Sequence, residues 1–184
     1  MPITDEDIKQ KVVLHQANNL DEYQRNFMNF DQRINVENIR LIVIDNIHTV
    51  CENFMKADGS IDYIERYNFL LKQSRDLKRL AYRFNVVVVI LNNVVADVNH
   101  DGQAKGFFEN KSRGQSIVPS LGMLWSNCIN ERIAMKRKGT TVDCKRTISI
   151  EKSAYMRKNE VDFEILNIGI RGKVWWNNLK LSKF

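Results

Sequence analysis

The stretch IRLIVIDNIHTV, residues 39–50, drives the apolar run Leu41 to Ile44 straight into Asp45. In open α/β sheets ligands bind beyond the carboxyl ends of the strands. A carboxylate at that place is the arrangement that holds a nucleotide-bound magnesium in phosphoryl-transfer sites. LIVID therefore reads as a Walker B strand with Asp45 as the magnesium-orienting group; an acidic loop cap is the plainer alternative. A second apolar run, NVVVVILNN at 85–93, ends in two amides. At the tip of a neighbouring strand Asn93 can hydrogen-bond a γ-phosphate, although an Asn pair is also an ordinary turn former. His48 carries a group suited to proton transfer, or is simply a histidine on the strand-to-loop turn.

These tips need a sheet behind them. KVVLHQ (11–16) is a short apolar run that predicts a strand. NNLDEYQRNFMNFDQRI predicts a helix capped by Asn19, with Asp21 and Glu22 in the first turn, where the helix dipole favours anions. Residues 51–60, with their Asp-Gly-Ser signal, predict a loop. From Asp62 to Phe84 the positions Ile64, Tyr67, Leu71, Ser74, Leu77, Ala81 and Phe84 step by three and four, which is one helix face. Arg66, Lys72, Arg75, Arg79 and Arg83 take the other side, a face most simply read as solvated. The run at 85–93 is rich in β-branched residues and lacks polar alternation, which predicts a strand covered on both faces. Strand, helix, strand, long helix, strand is an α/β order. Residues 95–118 then carry three glycines and adjacent phenylalanines, and an unstructured connection of that length is uncommon unless functional or disordered. RTISIEKSA (146–154) and VDFEILNIGI (161–170) alternate and predict strands or a hairpin. The tail 173–184 is basic and aromatic, with Trp175 and Trp176.

The bulk properties bound the partners. The chain has 184 residues, 43% of them hydrophobic and 27% charged, which describes an ordinary soluble domain. The formal net charge of +6 suits a polyanionic partner such as nucleic acid. No apolar run approaches membrane-spanning length, and the acidic start MPITDEDIKQ does not read as a secretory signal. Cys51, Cys128 and Cys144 have neither metal spacing nor a partner for catalysis, which suggests a reducing compartment, cytosol or nucleus.

Taken in order, LIVIDNI, the long helix, VVVVILNNVV, a glycine-bearing loop, VPSLGMLWSN, RTISIEKSA and IGIRG resemble the carboxyl half of the RecA-type core, in particular the eukaryotic recombinase paralogues. The resemblance runs over roughly 8–172. It implies a RecA-like P-loop NTPase fold, with a mostly parallel central sheet flanked by helices. The expected organisation is one partial core domain over 1–184. The implied function is ATP-dependent DNA binding in homologous-recombination repair of double-strand breaks, in the nucleus and also the cytoplasm, in meiosis as well, and in company with other recombinase paralogues. The implied cofactors are ATP and magnesium, the metal held by Asp45 through water. Asn93 stands where many members have Gln. Residues 51–60 and 95–118 fall at the two DNA loops, the second offering Lys105, Lys111 and Arg113 for phosphates and Phe107 and Phe108 for unstacked bases. The phenylalanine pair serves equally as an anchor for a partner protein.

The phosphate-cradling pattern G-x-x-x-x-G-K-[ST] of that family is found nowhere in the chain, nor is its catalytic glutamate recognisable. Whether the chain hydrolyses ATP is therefore open, and the expectation is binding without hydrolysis. A sequence beginning in mid-sheet suggests a truncated gene product; a short protein that has kept the fold and lost hydrolysis is the rival. A non-catalytic scaffold is the alternative function, and another RecA-core ATPase such as a helicase domain a weaker one. In EKSAYMRKNE, Lys152, Arg157 and Lys158 can meet phosphates across an interface or form a solvated turn.

Overall fold

A computed structural model describes residues 5–56, 58–96, 117–139 and 144–172. The elements run α1 (Asp5–Lys11), α2 (Leu20–Met28), α3 (Phe30–Val36), β1 (Leu41–Ile44), α4 (Ile47–Glu52), α5 (Tyr63–Phe84), β2 (Val87–Ile90), β3 (Val94–Ala96), β4 (Ile117–Pro119), α6 (Gly122–Cys128), β5 (Arg132–Lys138), β6 (Lys145–Lys152), β7 (Glu160–Leu166) and β8 (Gly169–Gly172). They gather into two compact units, Met1–Asn93 with Pro119–Leu121, and Val94–Val118 with Gly122–Phe184.

In the first unit β1 and β2 pair in parallel, Leu41 opposite Val87 and Ile44 opposite Ile90. Parallel neighbours need a crossover, and α4 and α5 supply it. α5 begins where Asp62 accepts a hydrogen bond from the Glu65 backbone N–H at 3.0 Å. It ends at Asn85, which takes the left-handed conformation at φ 51°, one that asparagine tolerates. The core joins Ile34 of α3, Ile42 of β1, Leu80 of α5 and Val86, with Phe27, Phe30, Ile39, Ile44, Phe84 and Val88 packed around them.

Four sequence expectations change here. Residues 12–16 are not a strand. α1 runs into this segment, with Val12 N–H donating to Ile8 O at 2.9 Å, and the exposed Val12, Val13 and Leu14 have no ladder partner among the described strands. The helix after Asn19 is two helices, broken at Asn29, whose N–H turns back to Phe27 O; the Asn19 cap itself forms, accepting from Glu22 N–H at 2.9 Å. The buried stripe of α5 is Leu70, Gln73, Ser74, Leu77 and Leu80, whereas Ile64 and Tyr67 face outward. Leu80 packs with Ile34 of α3 and Ile42 of β1, and the phase that burial selects differs from the one that collects the most apolar side chains. Finally, the β1–β2 ladder is covered on one face only among the described residues. Ile42, Ile44 and Val88 point to the core, while Leu41, Val43, Val87 and Val89 are 54%, 54%, 61% and 44% exposed.

The second unit carries an antiparallel sheet in the order β5-β6-β7-β8. β6 and β7 fall at the predicted hairpin region, and β5 runs over RIAMKRK. β3 and β4 pair as a separate short ribbon. The polar face of the larger sheet is networked. Lys136 and Glu151 pair at 2.8 Å and Ser149 donates to Glu151 at 2.7 Å, whereas the wholly buried Thr147 hydroxyl has no hydrogen-bond partner among the described residues. Phe163 and Trp125 are buried as well.

Candidate nucleotide-responsive site

β1 stops at Ile44 because the ladder stops there. The last rungs are Leu91 N–H to Ile44 O at 2.9 Å and Ile47 N–H to Leu91 O at 3.3 Å. Asp45 follows immediately, outside the ladder, with its carboxylate exposed. The chain then turns into α4 through Asn46, whose side chain accepts from the Thr49 backbone N–H at 2.9 Å and from the Thr49 hydroxyl at 3.2 Å. The capping work thus falls to Asn46. Asp45 forms no hydrogen bond or ion pair among the described residues.

At the tip of β2 the two asparagines divide the labour. The Asn92 side chain is half-buried and clasps Ser120, donating to Ser120 O at 2.9 Å and accepting from the Ser120 hydroxyl at 2.5 Å. Ser120 N–H donates to Asn93 O at 2.9 Å. Asn93 is held by its backbone while its exposed amide makes no hydrogen bond among the described residues. The ordinary turn role therefore belongs to Asn92. The clasp was missed by sequence reasoning, although the adjacent amides of ILNN and the polar residue after Pro119 are the signals that could have found it. Asp45 and Asn93 stand at the carboxyl ends of two adjacent parallel strands.

A cleft of about 320 Å³ runs along the β1 side of this corner, from Val13 and Leu14 past Leu41 and Val43 to Asp45 and Asn46. Among the described residues no three His, Cys, Asp or Glu side chains converge on a metal position. One exposed carboxylate suits magnesium, which keeps most of its water and commonly takes one or two protein carboxylates together with substrate phosphates. It does not suit a tightly caged ion.

The remaining reactive groups of this unit are at least partly buried. His48 Nε2 lies 3.6 Å from Glu52 on the next turn, and its buried Nδ1 has no hydrogen-bond partner among the described residues. Burial pushes the Cys51 thiol up to about 11, against the opposing pull of the Arg66 guanidinium, so it stays protonated at neutral pH and is a poor nucleophile. Burial also raises the Tyr23 phenol, with Cys51 adding to the effect. In the second unit the Lys152 ammonium donates to the carbonyls of Ser126 and Ile129, each at 2.8 Å. It is thereby turned away from the interfacial phosphate role, while Arg157 and Lys158 remain exposed. Lys105, Phe107, Phe108, Lys111 and Arg113 lie outside the described residues, as do Trp175 and Trp176.

Comparison with known proteins identifies the fold and the family. A KaiC-like protein from Pyrococcus horikoshii OT3 superposes with a TM-score of 0.57 at 15% identity, over 91% of this chain and 63% of its own. This shows the RecA-type fold. Among curated sequences, the DNA repair protein XRCC3 homolog of Arabidopsis thaliana is 27% identical over 72% of this chain and 50% of its own length. The human DNA repair protein RAD51 homolog 2 is 24% identical over 68% of this chain and 35% of its own. The DNA repair protein rhp57 of Schizosaccharomyces pombe is 28% identical over 56% and 34%. The chain thus spans half or less of the length of these relatives. The family described as Rad51 matches residues 2–173, nearly the whole of this polypeptide, and the chain belongs to the Rad51 family.

Proposed function

We propose that the chain acts in homologous-recombination repair as a nucleotide-responsive DNA-binding member of its family. The reading is carried by one observation: the unpaired Asp45 carboxylate and the free Asn93 amide stand on adjacent parallel strand tips. In this reading Asp45 orients, through water, a magnesium ion on ATP. Asn93 hydrogen-bonds the γ-phosphate, and its backbone leads directly into the segment bearing Lys105, Phe107, Phe108, Lys111 and Arg113. The lysines and arginine meet phosphates, and the phenylalanines stack on bases. Magnesium held there would offset phosphate charge. The chain has no phosphate-cradling loop of its own, so the proposal for it is binding without hydrolysis, with the cradle supplied from outside these residues. The proposed setting is the nucleus.

A scaffold role has its own support. The open apolar row Leu41, Val43, Val87 and Val89 is a surface that another recombinase paralogue would cover. Fluorescence anisotropy with single-stranded DNA, with and without magnesium and a slowly hydrolysed ATP analogue, separates the two readings. Asp45→Ala is expected to abolish the nucleotide effect while salt-sensitive DNA binding persists. DNA and nucleotide binding both unchanged in that variant would refute the site, and negligible DNA affinity at any salt would favour the scaffold.

A further inference from the structure

The structure assigns a second DNA-contacting surface, on the outward face of α5. Opposite the buried Leu70, Leu77 and Leu80, the exposed side chains of Lys72, Arg75 and Arg79 share one stripe that ends at Tyr82, which is 93% exposed, and exposed Lys78 flanks it one turn from both Arg75 and Tyr82. The positions 72, 75, 79 and 82 step by three, four and three, so they stay in line along the helix. Only Arg79 has a carboxylate, Asp76 at 3.4 Å. Among the described residues Lys72, Arg75 and Lys78 have none, and the Tyr82 hydroxyl makes no hydrogen bond.

The other cations of the helix behave differently. Arg83 is tied to Asp31 at 3.2 Å and lies 5.1 Å over the Phe84 ring, and Arg66 is half-buried beside Cys51. The unpaired charge is thus concentrated on the one face that has no packing duty.

Its geometry suits a phosphodiester backbone. From Lys72 to Arg79 is about 10 Å at the helical rise, roughly the length of three phosphates along one strand. Tyrosine hydroxyls also donate to phosphate oxygens. The exposed apolar side chains of this face, Ile64 and Tyr67, lie toward the start of the helix, before the cations begin at Lys72, so it is charge complementarity that selects a phosphodiester backbone over an apolar partner. The surface rests on the preceding reading only in sharing DNA as the partner; it uses neither the nucleotide corner nor the segment 95–118.

The test measures anisotropy of the full chain with a mixed-sequence DNA duplex across about 50–200 mM salt. Four proteins are compared: wild type; Lys72→Gln/Arg75→Gln/Lys78→Gln; a charge-matched control, Lys9→Gln/Arg25→Gln/Arg40→Gln; and Lys105→Gln/Lys111→Gln/Arg113→Gln. All replaced side chains of the stripe are exposed, and unchanged thermal melting verifies the fold. The stripe variant should lose about tenfold or more in affinity at low salt, and its salt slope should fall by about 2–3, near 0.9 per lost contact. The control should keep both.

A stripe variant indistinguishable from the control overturns the proposal, whatever the 95–118 variant does. A stripe effect with an unaffected 95–118 variant sustains the proposal and counts against the DNA role given to Lys105, Lys111 and Arg113. The absence of DNA binding by the wild type overturns both. A polyglutamate peptide serves as the second probe: loss of its binding by the stripe variant with DNA binding retained identifies an acidic protein ligand and overturns the DNA assignment.

Discussion

Replacing Leu80 by alanine tests the packing that holds the strand tips in place. Leu80 is 1% exposed and sits with Ile34, Ile42 and Val86 directly behind β1. Truncation removes three carbons, worth about 2.4 kcal/mol of transfer free energy at about 0.8 per methylene. The cavity left between α3, α5 and β1 adds to that, so the expected cost lies within the ~2–5 kcal/mol of buried Leu→Ala changes. Ile64 lies on the same helix and belongs to the row that apolar spacing alone selects, yet it is 77% exposed. Ile64→Ala should stay within about 0.5 kcal/mol of wild type. Urea unfolding followed by far-ultraviolet circular dichroism reads both changes, with a fall in melting temperature of about 2–4 °C per kcal/mol for a chain of this size. Equal destabilisation by the two substitutions would show that the phase assigned to α5 is wrong, and with it the orientation of the basic stripe.

Ser120→Ala leaves Asn92 Oδ1 without its hydroxyl donor in a half-buried position and should cost about 1–3 kcal/mol. The same loss in an Asn92→Ala background should be much smaller, a non-additivity that a double-mutant cycle measures. Burial alone would raise the Glu151 carboxyl, but hydrogen bonds from Lys136 and Ser149 outweigh it and hold the group below its ordinary value. Its folded value being the lower one, the pair contributes stability that is present above the unfolded carboxylate value and is lost as pH falls through the folded value. Glu151→Gln should therefore flatten the acid limb of a melting-temperature profile, and a profile of unchanged shape would count against the pairing.

Much of this was legible in the sequence where a local rule acts alone. The Asn19 cap, the extent of α5, and the strand that runs through Ile44 into an exposed Asp45 all follow from periodicity and end signals. Legibility fails where a residue's environment is set by something distant. KVVLHQ has strand composition but no ladder to join, so its first residue closes a helix. VVVVI lacks polar alternation because both faces of such a strand are built for cover, yet among the described residues only one face has it. Asn92 and Asn93 are chemically identical, and only the position of Ser120 decides which amide is used up and which is left free. The DNA contacts expected of Lys105, Phe107, Phe108, Lys111 and Arg113 rest on resemblance, since those positions lie outside the described residues.

The clasp between Asn92 and Ser120 brings the polypeptide back to within hydrogen-bonding distance of where it left β2. Whatever lies between has its exit and return fixed at one spot, and closing a longer excursion from a fixed base costs only about 0.6 kcal/mol per doubling of length. Lengthening the connection between Asn93 and Pro119 is therefore expected to cost the fold little, which thermal melting of a variant carrying a Gly-Ser insertion there would measure.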